Sequence, residues 1–299
     1  MVSGSHCDSV PDGGNYDGLA GIVAALCTAR WMQYLGFSPK RDFRVVIMRG
    51  EEEGLLGSLG MLGQLTEDDL SRRMRSGSAG PTLRELLTGI GVDPAAVSSG
   101  KHCVDFAKIA AFIEVHIEQS ARLDNAVTDR VGVVTGIRGL IRHRTIQAIG
   151  ETAHAGAVDF PYRKDAALAC ARFSSRLYDF WQHELSLGRD LVATTGVIRT
   201  SPSASMNKIA GECIVSLDAR SLSAAELNLF EKKVEAILQE TAEETGVIFK
   251  TDPLMRIAPV EADEGVMKKL ETSADILKIG TQRMPSGAGH DAMNFAAAG

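Results

Sequence analysis

Two nearly continuous apolar runs in this chain each end in residues that can carry chemistry. Residues 43–48 run into a triplet of glutamates at 51–53, and residues 110–115 run into His116. A third such end is His6, which follows what reads as the last part of a strand. Apolar runs of this kind are typical of parallel strands buried on both faces. Because the carboxyl ends of parallel strands meet at one edge, the pattern predicts an open, mostly parallel α/β sheet with its site there.

The segments between these strands read as helices and loops. Loop 11–18 is dense in turn residues, and residues 19–35 then carry apolar side chains at helical spacing until Gly36 stops the helix. A helical stretch follows the glutamates, and polar segments at 71–80 and 98–102 separate it from the next strand. This alternation of strand and helix is what the α/β prediction requires.

The order of predicted strands and helices changes at about Arg138, where a second domain begins. Its strands are predicted at 142–149, 191–198, 213–217 and 247–250, and its helices at 165–185 and 223–244. That order, βαββαβ, predicts an inserted α+β domain of the ferredoxin-like, split βαβ type. A helix at 264–277 then returns to the first domain. The predicted division is 1–137 for the first part of the catalytic domain, 138–252 for the insertion and 253–299 for the second part.

Composition excludes several classes of partner. The chain has 299 residues, of which 44% are hydrophobic and 23% charged, and its formal net charge is -6. No basic stripe indicates nucleic-acid binding, and no apolar run reaches the roughly 18 residues that span a bilayer. The five cysteines are scattered and odd in number, which favours reduced thiols in a cytoplasmic protein.

The candidate site residues have both functional and ordinary readings. In an extended chain the side chains of His6 and Asp8 point to the same side. His6 could therefore be a metal ligand, with the carboxylate of Asp8 orienting its ring. Asp17 could instead cap a helix, the triplet 51–53 could be a solvated charge run, and His116 could be a core histidine. Together they form a ligand set for zinc or a harder cation. Adjacent glutamates can divide the work, one binding metal and one moving protons.

The chain resembles the hydantoinase/carbamoylase branch of the M20 metallopeptidase family. The resemblance is carried by residues 4–11 (GSHCDSVP), 14–18 (GNYDG), 112–119 (FIEVHIEQ), 132–137 (GVVTGI), 150–156 (GETAHAG), 163–166 (RKDA), 217–220 (LDAR) and 286–292 (SGAGHDA), with Asn207. That branch includes N-carbamoyl-L-amino acid hydrolases, allantoate amidohydrolases and beta-ureidopropionases. The resemblance implies a zinc-peptidase-like catalytic domain and an inserted domain that serves as lid and dimer interface.

The resemblance also implies a centre with two divalent metal ions, zinc or manganese first, with cobalt or nickel as alternatives. The implied metal ligands are His6, Asp17, Glu52 and His116, with Asp17 bridging the two ions. Glu51 would be the general base and Asp8 would orient His6. The triplet can be aligned with the family pattern in two ways. The alignment without a gap, which is preferred, makes Glu51 the base and Glu52 the ligand. Gly54 favours an alignment shifted by one residue, in which Glu52 is the base and Glu53 the ligand.

Further roles follow from the same resemblance. His154 would stabilise the oxyanion in the partner subunit's site, which implies a homodimer formed through the inserted domain. The residues implied to hold the substrate are Gln119, Asn207, Arg220 and His290. A guanidinium such as that of Arg220 suits a substrate carboxylate. His102, His143 and His183 match no motif and are expected to be structural or exposed.

Relatives in this branch begin well before the position of His6 and continue past that of Gly299 with a further histidine ligand. We therefore expect a chain truncated at both ends, with its second metal ion one ligand short. The predicted function is hydrolysis of a linear amide or ureido C–N bond, as in an N-carbamoyl-L-amino acid or allantoate, by metal-activated water. The alternatives are a metal-deficient or one-metal binding homologue and an M20 peptidase or deacylase.

Overall fold

The computed structural model describes residues 1–74 and 80–299, so residues 75–79 of the polar segment predicted at 71–80 lie outside the described residues. The described chain forms two compact units. Unit 1 comprises Met1–Thr135, Ala262–Met284 and Ala288–Gly299, and unit 2 comprises Gly136–Glu261 and Pro285–Gly287. The domain limits drawn from the sequence, 1–137, 138–252 and 253–299, stay a prediction.

The described chain contains both strands and helices, often several of one kind in succession. The strands are β1 (Val2–His6), β2 (Arg44–Met48), β3 (Phe112–Ile113), β4 (Asp129–Ile137), β5 (Gly139–Ile149), β6 (Ala153–His154), β7 (Val192–Thr194), β8 (Ile198–Thr200), β9 (Lys208–Ile209), β10 (Glu212–Ser221), β11 (Ile248–Thr251), β12 (Met255–Ile257), β13 (Val260–Glu261) and β14 (Gly280–Ser286). The helices are α1 (Leu19–Tyr34), α2 (Leu56–Met61), α3 (Glu67–Ser71), α4 (Leu83–Gly89), α5 (Pro94–Val97), α6 (Ala166–Ser186), α7 (Ala224–Thr245), α8 (Glu264–Ile276) and α9 (Asp291–Ala297). The sequence patterns did not predict β4, β14 or α9.

The sheet of unit 1 is parallel, with the strand order β2-β1-β3. In the register of β1 and β2, His6 stands opposite Met48. The two strands therefore end together, and the loops that follow them leave the same edge of the sheet. This confirms an α/β fold with parallel strands and places residues 7–8 beside the glutamate turn.

Two strand predictions in unit 1 are wrong in detail. Residues 43–48 were expected to be buried on both faces, yet Ile47 is 56% exposed while Met48 is 2% exposed. Successive side chains of a strand point to opposite faces, and only the face that holds Met48 is covered. The strand expected at 110–115 shortens to the two residues of β3.

Helix α1 packs closely on β1 because a glycine lies at the contact. A Cβ atom added at Gly21 would lie 2.1 Å from the carbonyl oxygen of Val115 and 2.8 Å from Cβ of Ser5. Any larger residue would push the helix away from the segments that carry His6 and His116. No helix in residues 1–74 and 80–299 is long and apolar enough to cross a membrane.

Unit 2 is built on an antiparallel sheet with the order β11-β5-β10-β7, to which β12 and β8 add at β5 and β10. Helices α6 and α7 pack on it, with Phe173 and Phe230 among the fully buried side chains between the layers. The single strand predicted at 191–198 is two short strands, β7 and β8, separated by residues 195–197.

Candidate metal centre

The imidazole of His6 is buried at the carboxyl end of β1. Its Nδ1 lies 2.8 Å from the backbone carbonyl oxygen of Asp8. A carbonyl oxygen can only accept a hydrogen bond, so Nδ1 carries the hydrogen and Nε2 has the lone pair. Among the described residues Nε2 has no hydrogen-bond partner, and it lies 3.7 Å from Oδ1 of Asp17. The ring is therefore held in the tautomer that binds a cation.

His116 presents its own Nε2 to the same carboxylate. Its Nδ1 lies 2.8 Å from the carbonyl oxygen of Ile117, which again assigns the hydrogen to Nδ1. Its Nε2 is 2.7 Å from Oδ1 of Asp17. One ligand atom from each of His6, Asp17 and His116 lies within 4.8 Å of the other two. Three of the four predicted metal ligands are thus brought together.

Gly18 allows Asp17 to approach the two imidazoles. Its φ is 65°, in the left-handed region, and a Cβ atom there would lie 2.3 Å from the carbonyl oxygen of His6 and 2.5 Å from Nδ1 of His6. The loop predicted at 11–18 therefore packs directly against the ring. Asp17 is 7% exposed as a result.

Gln119 contacts this cluster through Asp17. Its side-chain amide donates a hydrogen bond of 2.9 Å to Oδ2 of Asp17, so Asp17 offers one oxygen to the histidines and the other to Gln119. Glu118, the preceding residue, accepts from the backbone N–H groups of Leu123 and Arg122 at 2.8 and 3.0 Å. These bonds lower the pKa of Glu118 and hold the loop that carries Gln119.

The carboxylate of Asp8 holds the turn that carries the glutamates. It accepts hydrogen bonds from the backbone N–H groups of Gly50 at 2.8 Å, Glu52 at 3.2 Å and Glu51 at 3.4 Å. The close contact between Asp8 and the ring of His6 is made by the backbone carbonyl, while the carboxylate lies 3.8 Å from Nδ1. Asp8 therefore holds the ring of His6 with its backbone carbonyl and the turn at residues 50–52 with its carboxylate.

Glu51 directs its carboxylate toward His6. Its Oε2 lies 3.9 Å from Nε2 of His6, and its side chain is 10% exposed. Burial first, and then the nearby carboxyl groups of Asp291 and Glu52, raise the pKa of Glu51 to about 8. A carboxyl group with a pKa near the working pH can both accept and return a proton. The side chain of Glu52 also places Oε1 in the interior.

His290 and Asp291 lie at the start of α9. The ring centroid of His290 is 4.4 Å from that of His116. Burial, together with the imidazoles of His116 and His6, lowers the pKa of His290 to about 3, so it is neutral at pH 7. Asp291 is fully buried and accepts a 2.5 Å hydrogen bond from Oγ of Ser58. Burial raises its pKa.

Sequence reasoning missed Glu114, Asp291 and Ser58. Glu114 accepts hydrogen bonds from Oγ of Ser5 at 2.7 Å and from the backbone N–H of Ala292 at 2.9 Å. Burial raises the pKa of Glu114 to about 7. Its position two residues before His116 was visible in the sequence, yet nothing there distinguished it from an ordinary strand residue.

Unit 2 contains the remaining predicted site residues. His154 in β6 and Asn207, next to β9, lie together, because Ala155 donates its N–H to the carbonyl oxygen of Asn207 at 2.9 Å. Nδ1 of His154 accepts the N–H of Gly156 at 3.1 Å, so Nε2 carries the hydrogen. His154 is exposed and offers that N–H as a donor.

Arg220 has its guanidinium engaged within unit 2. Nε donates to Oδ1 of Asp218 at 2.7 Å, and Nη1 donates to the carbonyl oxygen of Gly287 at 2.6 Å. Arg142 also bonds to Asp218. Burial raises the pKa of Asp218, but the hydrogen bonds from the two arginines outweigh it and leave the pKa below its usual value. Of the other histidines, His143 pairs with Asp252 and His102 and His183 are exposed.

The cluster fits a divalent cation. Nε2 of each of the two imidazoles faces a buried carboxylate oxygen, an arrangement that positive charge between them would stabilise. Glu51 and Glu114 have raised pKa values because their buried negative charges lack a counter-charge. Nitrogen and carboxylate ligands suit zinc and several other first-row divalent ions. The residues that would hold the ion are His6, Asp17 and His116.

Comparison with known proteins shows the family of the chain. The sequence profile of peptidase family M20/M25/M40 matches residues 2–299. The chain belongs to this family. Among M20 relatives, the N-carbamoyl-L-amino-acid amidohydrolase of Paenarthrobacter aurescens is 30% identical over 301 residues, which are 99% of this chain and 71% of that protein. The allantoate amidohydrolase of Bacillus subtilis (strain 168) is 32% identical over 300 residues, 98% of this chain and 69% of that protein.

Solved structures resemble the chain over almost its whole length. A hydantoinase/carbamoylase family amidase from Burkholderia multivorans matches with a TM-score of 0.83 at 28% identity, covering 99% of this chain and 70% of that one. The aminopeptidase PepT from Bacillus cereus matches with a TM-score of 0.62 at 17% identity, which shows a common fold and nothing finer.

Proposed function

We propose that this chain is a metal-dependent amidohydrolase that cleaves a linear C–N bond of a ureido or amide group. The observation that carries the proposal is the convergence of Nε2 of His6, Oδ1 of Asp17 and Nε2 of His116 within 4.8 Å, with the buried carboxylate of Glu51 beside them. M20 relatives that are 30% and 32% identical carry the names N-carbamoyl-L-amino-acid amidohydrolase and allantoate amidohydrolase.

His6, Asp17 and His116 hold the metal ion in this proposal, and Glu52 with Asp17 holds a second one. A bound divalent ion supplies Lewis-acid activation of water and of the scissile carbonyl. The buried Oε1 of Glu52 supports its role as a ligand. Zinc and manganese are the first candidates, and cobalt and nickel bind similar donors.

Glu51 is the general base in this proposal. It takes a proton from the attacking water and returns it to the leaving nitrogen. Its 3.9 Å approach to His6, its 10% exposure and its raised pKa support the ungapped register of the triplet. Glu53 lies two residues further along, where its backbone carbonyl accepts a hydrogen bond from Arg72.

Unit 2 is proposed to be the ferredoxin-like lid and dimerisation domain. The sheet order β11-β5-β10-β7, with helices α6 and α7, supports that topology. The exposed Nε2–H of His154 is suited to stabilising an oxyanion in the partner subunit of a homodimer. Asn207 beside it is suited to a polar group of the substrate.

The substrate is proposed to be a small molecule with a carboxylate, either an N-carbamoyl-L-amino acid or allantoate. Gln119 and His290 border the metal cluster through Asp17 and His116, which supports their proximity to bound substrate. The hydrogen bonds of Arg220 to Asp218 and Gly287 use three of its five N–H groups, so the guanidinium can bind a carboxylate while these partners hold it. A cytoplasmic location stays a prediction; all five cysteines are free.

A substrate panel tests the proposal. Protein loaded with Mn²⁺ or Zn²⁺ is assayed with N-carbamoyl-L-amino acids, allantoate and unmodified dipeptides. We expect turnover of a ureido compound and none of the dipeptides. Turnover of dipeptides alone would replace this proposal with a peptidase function.

A further inference from the structure

The carboxylate of Glu114 connects the segments that carry the three clustered histidines. Its Oε1 accepts the hydroxyl hydrogen of Ser5 at 2.7 Å, and its Oε2 accepts the backbone N–H of Ala292 at 2.9 Å. Ser5 belongs to β1 and Ala292 to the first turn of α9. One side chain therefore joins a strand, the segment after β3 and a helix that are far apart in sequence.

Each of these contacts lies within two residues of one of the three histidines. Ser5 precedes His6, Glu114 is two residues before His116, and Ala292 is two residues after His290. The three imidazole rings are also close together. The centroid distances are 5.7 Å from His6 to His116 and 4.4 Å from His116 to His290. Moving any one of the three segments relative to Glu114 would move a ring relative to the other two.

The buried surroundings make this connection rigid. Ser5 is fully buried and lies under α1 at the close contact of Gly21. Phe112, two residues before Glu114, stacks on Phe295 of α9 with a centroid distance of 4.0 Å. The three segments are thus packed against one another around Glu114. Its hydrogen bonds fix how β1, the segment after β3 and α9 are aligned within that packing.

We propose that Glu114 is a positioning residue that sets the relative placement of His6, His116 and His290. The effect of Glu114 on metal binding rests on the proposed function. The hydrogen bonds of Glu114 do not depend on that function. Oε2 of Glu114 faces a backbone N–H, which can only donate, while Oε1 faces the hydroxyl of Ser5, which can donate or accept. A glutamine could keep both contacts by donating its NH₂ to Oγ of Ser5, whereas a leucine removes both acceptors.

The test compares Glu114→Leu with Glu184→Leu, a matched change at a buried carboxylate in unit 2 that pairs with Arg189. Amide hydrogen exchange at Ala292 is expected to become about tenfold faster or more in Glu114→Leu, since the hydrogen bond of its N–H to a carboxylate is lost. Exchange in β5 and β10 should stay unchanged. Co²⁺ binding, followed by visible absorption, should weaken by about tenfold. Glu184→Leu should change neither.

The outcomes separate this proposal from the proposed function. Unchanged exchange at Ala292 in Glu114→Leu overturns the positioning role, as does faster exchange spread evenly through both units, which would mean general destabilisation. Unchanged Co²⁺ affinity despite faster local exchange also overturns it. Failure of the wild-type protein to hydrolyse any ureido substrate, with the exchange and Co²⁺ results as expected, contradicts only the proposed function. Ser5→Ala, which removes the other donor, should weaken Co²⁺ binding in the same direction.

Discussion

Nε2 of His116 lies 2.7 Å from Oδ1 of Asp17, with the hydrogen of the ring on the opposite nitrogen, where it faces the carbonyl oxygen of Ile117. A lone pair and a carboxylate oxygen at this distance repel each other unless a proton or a metal ion lies between them. Nε2 of His6, 3.7 Å from the same oxygen, adds a second lone pair. The cluster therefore requires positive charge.

Asp17→Asn should abolish tight metal binding. The change removes the negative charge that the two imidazoles share, and we expect metal affinity to fall by more than about 100-fold, beyond what an outer partner of a metal ligand usually contributes. Asp12→Asn, an exposed position in the same loop, is the control and should leave affinity unchanged. Titration with Mn²⁺ or Zn²⁺ by calorimetry decides; equal affinities in the two variants would exclude Asp17 as a ligand.

Glu51→Gln should retain the metal and lose turnover. The amide cannot accept the proton of the attacking water, and general acid–base catalysis typically contributes about 10²–10⁴-fold. We expect kcat to fall within that range while metal content stays at the wild-type value. Glu53→Gln should leave kcat nearly unchanged. The reverse ranking would favour the shifted register, in which Glu52 is the base and Glu53 the ligand.

Several helices could be predicted from the sequence because the spacing of apolar residues and the residues that end a helix indicate the same limits. The helix predicted at 19–35 is α1 and the helix predicted at 264–277 is α8, each within one residue at either end. The burial of β2 was not readable, because an apolar run does not reveal whether both faces of its sheet are covered. Ile47 would look the same in either case.

The candidate site was only partly readable. Residues that bind through their side chains at strand ends, such as His6 and His116, stand out against apolar neighbours. Glu114 and Asp291 do not, because their importance arises from burial and from partners more than 100 residues away in sequence. Asp8 shows a different limit, since it contacts His6 through its backbone and leaves its carboxylate for the turn at residues 50–52.

Gly18→Ala should destabilise the protein more than Gly36→Ala. Both glycines have positive φ, 65° and 63°, and Gly18 also has a ψ of -49°, outside the left-handed helical region, so its conformation is the harder one for alanine to adopt. An added Cβ meets nothing within 4 Å at Gly36 but lies 2.3 Å from the carbonyl oxygen of His6 at Gly18. Urea unfolding gives the difference, which reports the combined cost of this backbone conformation and of the contact with His6. Equal free energies of unfolding would mean that the loop moves away freely.

The neutral state of His290 should appear in the pH dependence of stability. Its folded pKa is about 3, against about 6.5 when unfolded, so the unfolded chain binds a proton that the folded chain does not. The free energy of unfolding should therefore fall as pH decreases from about 6.5 toward 3, by at most about 1.4 kcal/mol per pH unit from this group.

Comparison with His290→Gln in EDTA isolates that contribution. The raised pKa of Glu51 acts in the opposite sense, because its folded carboxyl keeps a proton that the unfolded one has lost. Both proteins contain Glu51, so the difference between their curves reports on His290. The variant should lose less stability than the wild type between pH 6 and pH 4. Parallel curves would show that His290 is protonated in the folded protein.

The most direct test of the central claim is reconstitution of the metal-free protein with stoichiometric Mn²⁺ or Zn²⁺, while hydrolysis of an N-carbamoyl-L-amino acid and of allantoate is followed by product release. We predict no turnover before addition, turnover of at least one ureido compound after it, and loss of turnover on chelation. A protein that is saturated with metal at His6, Asp17 and His116 and still cleaves neither compound would contradict the account.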